Sequence, residues 1–182
     1  LITELSNYII IREIWAENDI HLFKARNKLD NKEVIVKILF YNGKDFENLL
    51  YSLEREKKIL SELPKEFTAK IIEYNRTTEL EYIIYQDSGV IPLSEFIKKF
   101  KNVAINNFFK IALQLIKIIA WFHDNQLIHK NFKPNVFFIN LDDLNVKLFD
   151  GSHAATTKTE IHSDSKDQYI YGTLPYLAPE QT

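Results

Sequence analysis

Four short stretches of this sequence hold the side chains best suited to chemistry. Val34-Ile35-Val36-Lys37 ends a β-branched run on a lysine, a point charge able to neutralise a phosphate. Leu53-Glu54-Arg55-Glu56-Lys57-Lys58-Ile59-Leu60-Ser61-Glu62-Leu63 sets Leu53, Ile59, Leu60 and Leu63 on one helical face, and Leu60 and Leu63 support Glu56. Asn145-Val146-Lys147-Leu148-Phe149-Asp150 reads as a strand that delivers a carboxylate, a ligand for a hard divalent cation. Between the last two lies Ile128-His129-Lys130-Asn131-Phe132-Lys133-Pro134-Asn135-Val136. Its amides can orient a hydroxyl by hydrogen bonding, but an amide accepts no proton at neutral pH.

A fifth stretch, Gly172-Thr173-Leu174-Pro175-Tyr176-Leu177-Ala178-Pro179-Glu180, closes the series. In this order the stretches resemble the protein kinase family. They correspond to its Val-Ala-Ile-Lys strand, the helix glutamate, the His-Arg-Asp-x-Lys-Pro-x-Asn loop, the strand before Asp-Phe-Gly, and the Gly-Thr-x-x-Tyr-x-Ala-Pro-Glu end of the activation segment. The resemblance runs from about Tyr8 to Thr182. In detail the chain is similar to the eukaryotic-type serine/threonine kinase domain that opens some large bacterial sensor proteins, where ATPase and histidine-kinase modules follow.

The resemblance implies an α+β fold of two lobes. The small lobe, about residues 8–85, is expected to hold five strands (Tyr8–Ile14, Ile20–Asn27, Glu33–Phe40, Ala69–Asn75, Tyr82–Tyr85) and one helix near Asp45–Leu63. A partial, mainly helical large lobe, about 86–182, follows and ends at the Ala-Pro-Glu motif. Helices are expected at Leu93–Phe100 and Asn106–Asp124, the second with Phe109, Leu113, Ile116 and Ala120 on one face.

By the same resemblance Lys37 holds the α- and β-phosphates of ATP, with Glu56 its partner and Glu54 the fallback. A lysine closing such a strand could equally be a surface residue of an edge strand. Tyr85 takes the gatekeeper position or is a core aromatic, and Gln86, Asp87 and Ser88 take the hinge beside the adenine. Asp150 would bind Mg2+, Lys133 would contact the transferring phosphate, and His129 would support the loop.

The departures from the pattern are as informative. Asn131 stands where the family has its catalytic aspartate, which forfeits a general-base contribution of about 10²–10⁴-fold. Val136 stands where the second metal ligand belongs, and an isopropyl group coordinates no hard cation. A one-residue slip would offer Asn135 instead. Counting back from Leu22-Phe23-Lys24-Ala25, the three glycines that let backbone amides approach the phosphates are replaced by Trp15, Glu17 and Ile20. Glu17 and Asp19 would repel a phosphate charge about 5 Å away by roughly 3 kcal/mol each at an effective dielectric near 20, unless they turn to water. Gly151-Ser152 replaces Phe-Gly after Asp150, and Phe149 is the nearest stand-in for the lost ring.

Composition bounds the function. The chain has 182 residues and a formal net charge of −2, so no field favours nucleic acid. No long uninterrupted apolar run predicts a membrane span, and the first residues lack the basic start and apolar core of a signal peptide. With no cysteine there are no disulfides or thiolate sites, which is compatible with the cytoplasm. With no methionine either, Leu1 is not expected to be the translation start, and the chain is expected to be a fragment or a truncated form. The missing large-lobe helices would then leave an apolar underside at Phe108, Phe109, Ile111, Leu115, Trp121, Phe122, Phe137 and Phe138. Thr156 to Lys166 is the most polar stretch, with Thr156, Thr157, Thr159, Ser163 and Ser165 as candidate phosphorylation sites.

The expected function is a kinase-fold regulatory or interaction module with weak ATP and Mg2+ binding. Its expected partners are downstream domains of a longer signalling protein or another protein subunit. The rivals are a low-activity serine/threonine kinase that moves the γ-phosphate of ATP to protein hydroxyls with Lys37, Glu56, Asp150 and Asn135, and a remnant without function. A small-molecule phosphotransferase is disfavoured by the Gly172–Glu180 segment.

Overall fold

The computed structural model describes residues 4–5, 7–17, 19–40, 46–77, 80–157, 173–177 and 179, and side chains within these except those of 4 and 46–52. The chain divides into two compact units, residues 1–50 with 69–88 and residues 51–68 with 89–182.

The first unit is an antiparallel sheet of β1 (Glu4–Leu5), β2 (Tyr8–Glu17), β3 (Ile20–Asn27), β4 (Glu33–Phe40), β5 (Ile71–Arg76) and β6 (Leu80–Gln86), in the order β1-β2-β3-β4-β6-β5. Five strands were expected; the sixth, β1, is a two-residue addition at the edge. Val34, Val36 and Ile38 of β4 join Tyr8, Phe23, Ala25, Tyr82 and Ile84 in one core. Ile35, Lys37 and Leu39 point to the other face and are buried as well, so β4 shows no inside-outside alternation. That is the signature of a strand covered on both sides. The β3–β4 turn is local chemistry: the Asn27 side chain accepts from Leu29 N–H, the Asp30 side chain accepts from Lys32 N–H, and Asn31 takes the left-handed conformation (φ 58°) that asparagine tolerates.

The second unit takes α1 (Phe46–Glu62) from Tyr51 onward, then β7 (Val90–Pro92), α2 (Leu93–Lys99), α3 (Ile105–Asp124), β8 (Leu127–Ile128), β9 (Phe137–Asn140), β10 (Val146–Leu148) and β11 (Ala155–Thr156). Strands β10, β9 and β7 form one small sheet, and β11 pairs with β8. Helix α2 has Glu95 in its first turn and Lys98 and Lys99 in its last, which complements its dipole. Helix α3 stops where Asn125 turns its side-chain amide onto the Trp121 carbonyl and Gln126 adopts φ 57°. One residue ties α3 to β10: Gln114 donates to the Leu144 carbonyl at 2.9 Å and accepts from Val146 N–H at 2.9 Å. A parallel bridge between Thr68 and Leu148 and the Lys147 ammonium on the Thr68 carbonyl, at 3.1 Å, fix the other side of β10. The strand that leads to Asp150 is therefore held from two directions.

The expected apolar underside is only partly correct. Ile111, Phe122, Phe137 and Phe138 are buried, because β9 runs through the interior and α3 turns those residues inward. The exposed apolar face is instead Ile105, Phe108, Phe109, Leu113 and Ile116, continued by Ala120. The 3.6-residue period places Phe109, Leu113, Ile116 and Ala120 together, as the sequence pattern shows, on the outer side of the helix. By length and composition α3 is also apolar enough to cross a bilayer, although Lys110, Gln114 and Lys117 interrupt it.

Exposed contiguous apolar surface drives association. Changing Phe109, Leu113 and Ile116 together to glutamine should lower light scattering of the 182-residue protein and leave its melting temperature nearly unchanged, since the replaced groups already face water. A large drop in melting temperature would show that this face is packed.

Candidate functional site

The candidate residues are divided between the two units, and each set has its own geometry. In the first unit Lys37 lies in β4 opposite Leu22 of β3 and Ile83 of β6, and only 2% of it is exposed. The edge-strand reading of this lysine fails, because β4 is central. An ammonium is seldom buried to this degree without a function or a partner. Leu22 and Tyr85 are also buried, and Tyr85 is a core aromatic of β6 opposite Ile35.

The three positions without glycine fall in the β2–β3 hairpin. Trp15 pairs with Leu22 and Glu17 with Ile20, so these positions lie in the strands themselves, with irregular register at Ile10/Arg12 and Glu13/Trp15. The Asp19 carbonyl accepts from Phe40 N–H, which fastens the turn to the end of β4. Of the hinge residues, Gln86 donates its backbone N–H to the Lys70 carbonyl, and Gln86 and Ser88 are exposed. The Asp87 carboxylate is taken by Lys24 at 3.3 Å, and the same ammonium meets Glu33 at 2.7 Å. Its hydrogen bond to Glu33 raises the Lys24 pKa against desolvation, and Asp87 adds to the rise. The Asp87 side chain is thus a strap between strands, so any adenine contact at that residue falls to its backbone.

In the second unit Glu56 is fully buried and Glu54 is exposed, so the helix presents Glu56 inward and Glu54 to water. The loop after β8 is built around His129. Its ring packs among Phe122, Phe132 and Phe137 with centroids 5.2, 5.7 and 6.5 Å away. Nε2–H donates to the Asp150 carbonyl at 2.8 Å, and Nδ1 accepts from Asn131 N–H at 3.3 Å. Both bonds fit a neutral imidazole with its proton on Nε2. Burial pushes the His129 pKa down, and the nearby Asp150 only partly opposes this. His129 thus ties the Asn131 backbone to the Asp150 carbonyl. Lys130 beside it has φ 64°, a conformation that costs a non-glycine residue of order 1–3 kcal/mol and tends to occur at functional sites.

Asn131 and Lys133 converge on Thr173, which the sequence reading did not single out although it stands inside the Gly-Thr motif. Lys133 Nζ donates to Thr173 Oγ1 at 2.8 Å, and that hydroxyl donates to Asn131 Oδ1 at 3.3 Å. All of Asn131 except 7% and all of Lys133 except 4% is buried. The amide keeps the position and hydrogen bonding of the loop but supplies no base. Val136 is buried at the end of a 3-10 turn (Pro134–Val136), and its carbonyl accepts from Phe149 N–H at 2.9 Å. The ungapped register therefore puts valine, and not Asn135, across from the residue that precedes Asp150. Asn135 is half-buried one position earlier.

Phe149 is buried, and its ring lies tilted against Phe138 with centroids 4.3 Å apart. Gly151 lies against α1, where a Cβ would meet Ile59 Cγ2 at 3.1 Å. Asp150 has an oxygen suited to a hard cation, and Mg2+ is commonly held by one or two carboxylates together with substrate phosphates. Among the described residues no group of three or more acidic or histidine side chains forms a metal site by itself. Thr156 pairs in β11 with Leu127, and Thr157 donates its N–H to the Gln126 carbonyl. Thr159, Ser163, Ser165, Gly172, Ala178 and Glu180 lie outside the described residues.

A sheet with one buried lysine in its central strand, and a second unit whose His-x-Asn-x-Lys loop lies beside a strand-borne aspartate, are features of a protein-kinase-like α+β fold. The protein kinase domain family matches residues 21–182, and the chain belongs to that family. It is similar to a probable serine/threonine-protein kinase of Clostridium acetobutylicum, 26% identical over 98% of this chain and 27% of that protein. It is also similar to serine/threonine-protein kinase PrkC of Bacillus subtilis, 25% identical over 96% of this chain and 26% of PrkC. A plant relative, serine/threonine-protein kinase TIO of Arabidopsis thaliana, is 26% identical over 97% of this chain and 13% of its own length. The chain spans about a quarter of the two bacterial relatives.

The state of His129 sets a pH dependence. Its folded pKa lies below the ordinary value near 6.5, so in that window the unfolded chain binds a proton that the folded chain does not. Stability should therefore fall as pH drops through the ordinary histidine range, and His129 should stop contributing to the fall below its folded pKa. Thermal unfolding between about pH 7.5 and pH 5.5 should show this loss, with a shallower slope in His129→Gln. Equal slopes in the two proteins would show that His129 does not carry the effect.

Proposed function

We propose that this domain is a kinase-fold regulatory or interaction module that binds ATP weakly with Mg2+ and transfers phosphate poorly or not at all. The observation that carries this reading is the Lys133–Thr173–Asn131 chain, which retains the geometry of a catalytic loop while an amide replaces the group that would take the proton. The buried valine at 136 adds to it, because the position beside the Asp150 strand offers no ligand oxygen.

In the binding reaction Lys37 would neutralise phosphate charge and Asp150 would hold the cation, which screens the phosphate oxygens when bound. The absence of glycine at Trp15, Glu17 and Ile20 keeps side chains where backbone amides would otherwise approach phosphate closely, which weakens binding. Partners are downstream domains of a longer signalling protein or another subunit, consistent with relatives several times longer than this chain. A cytoplasmic location is consistent with the absence of cysteine. The second reading, a slow serine/threonine kinase, draws on the retained Lys37, Glu56, Asp150 and Lys133 and on the largely electrostatic nature of phosphoryl transfer.

The test is incorporation of label from γ-labelled ATP into the protein itself and into generic protein substrates. The wild type should incorporate little or none, and Asn131→Asp with Val136→Asn should raise incorporation by at least about tenfold by restoring base and ligand. Robust wild-type incorporation that disappears in Lys37→Ala would establish the slow-kinase reading instead.

A further inference from the structure

One buried charge of the first unit has no place in the proposed binding reaction. Glu81 of β6 is fully buried. Its contacts suit a carboxylate: the Tyr74 hydroxyl donates to Oε1, and Nε of the exposed Arg76, on the edge strand β5, lies 4.0 Å from Oε2.

The register of the sheet sets Glu81 beside Lys37. On β6, Ile83 lies opposite Lys37, and Glu81 lies opposite Leu39. Residues two apart on a strand share a face, so the lysine and the glutamate are diagonal neighbours on one face, about 7–8 Å apart and within reach of long side chains. Among the described residues that border Lys37 on this face, in β4 itself and in β3 and β6 beside it, Glu81 is the only carboxylate. The other charge there is Lys24, opposite Ile35, and its ammonium is taken by Glu33 and Asp87. Glu56, the partner that the family pattern gives Lys37, belongs to the second unit, whereas Glu81 is carried by the lysine's own sheet. With the lysine 2% exposed and the glutamate not exposed, salt and water screen this pair little.

We propose that Glu81 lowers the affinity of this domain for phosphate: its carboxylate offsets the Lys37 ammonium from within the sheet and repels the phosphate that the lysine would receive. This rests on the reading of Lys37 as the phosphate-binding residue and deepens it, since it adds a second cause of weak ATP binding to the missing glycines. Glu81 acts on the phosphate through Lys37 and through its own field. It is a positioning residue.

The test is a ligand-observed NMR titration of the 182-residue protein with ATP and magnesium, with AMP and with adenosine. Glu81→Gln keeps the size of the side chain and an acceptor for Tyr74 but removes the charge. It should tighten ATP binding about tenfold, the order expected when one unit charge about 8 Å away is removed at an effective dielectric near 20. The gain should shrink for AMP and vanish for adenosine, a dependence on ligand charge that a general loosening of the sheet would not produce. Glu81→Asp keeps the charge and should stay near the wild-type affinity. Glu81→Leu removes the charge without leaving an amide to bury, and reports if glutamine perturbs folding. Lys37→Met should lose ATP binding. Unchanged or weaker ATP binding in Glu81→Gln and Glu81→Leu, with Lys37→Met still abolishing it, overturns the role of Glu81 and leaves the lysine reading intact. An equal gain for adenosine does the same. Wild-type ATP affinity in Lys37→Met, or no ATP binding by any of these proteins, overturns the lysine reading and the proposal with it.

Discussion

The constraint on which the rest depends is the burial of charge. Lys37 is 2% exposed, Glu56 is not exposed and Asp150 is 8% exposed. Moving a single ionised side chain out of water costs several kcal/mol even after relaxation, and well-packed apolar residues of similar volume often serve stability as well or better. A fold would not keep a lysine in its central strand for packing alone. The supporting structure is arranged accordingly: β4 is covered on both faces, Gln114 and Lys147 pin the strand before Asp150, and the aromatic rings around His129 hold the loop that carries Asn131 and Lys133.

Against that background the losses are selective. Lys37, Glu56, Lys133 and Asp150 are kept in buried form, while an amide and an isopropyl group stand where the family's pattern has its proton acceptor and second metal ligand. Charges buried to this degree are costly to keep, so their retention marks these positions as constrained. Retained buried charge beside these two replacements supports the proposed regulatory or interaction module.

Much of this was legible in the sequence because it depends on local pattern. Val34-Ile35-Val36-Lys37 reads as a strand, the helix around Glu56 shows its apolar period, and the ordered loops fix the family. Burial was less legible. Whether Lys37 faced water or core depended on β4 lying between β3 and β6, a long-range pairing that the strand itself does not encode. The apolar face of α3 followed its period, yet which residues pointed inward depended on tertiary packing, so Ile111, Phe122, Phe137 and Phe138 were misplaced in the expected underside and the exposed Leu113 and Ile116 were left out of it. Thr173 was missed as a partner because it acts across a long sequence separation on residues already noticed. The motif letters name it without saying what it touches.

The most direct measurement of the central claim is isothermal titration of the protein with ATP in the presence and absence of magnesium, set beside the same titration of Lys37→Met. If buried charge is kept for phosphate, the wild type binds in the range of about ten micromolar to one millimolar, binding weakens without magnesium, and the methionine variant, close in volume and uncharged, loses it. Submicromolar binding would contradict the obstructed approach at Trp15, Glu17 and Ile20. Binding that survives Lys37→Met unchanged would contradict the claim that this lysine is buried for the sake of a phosphate.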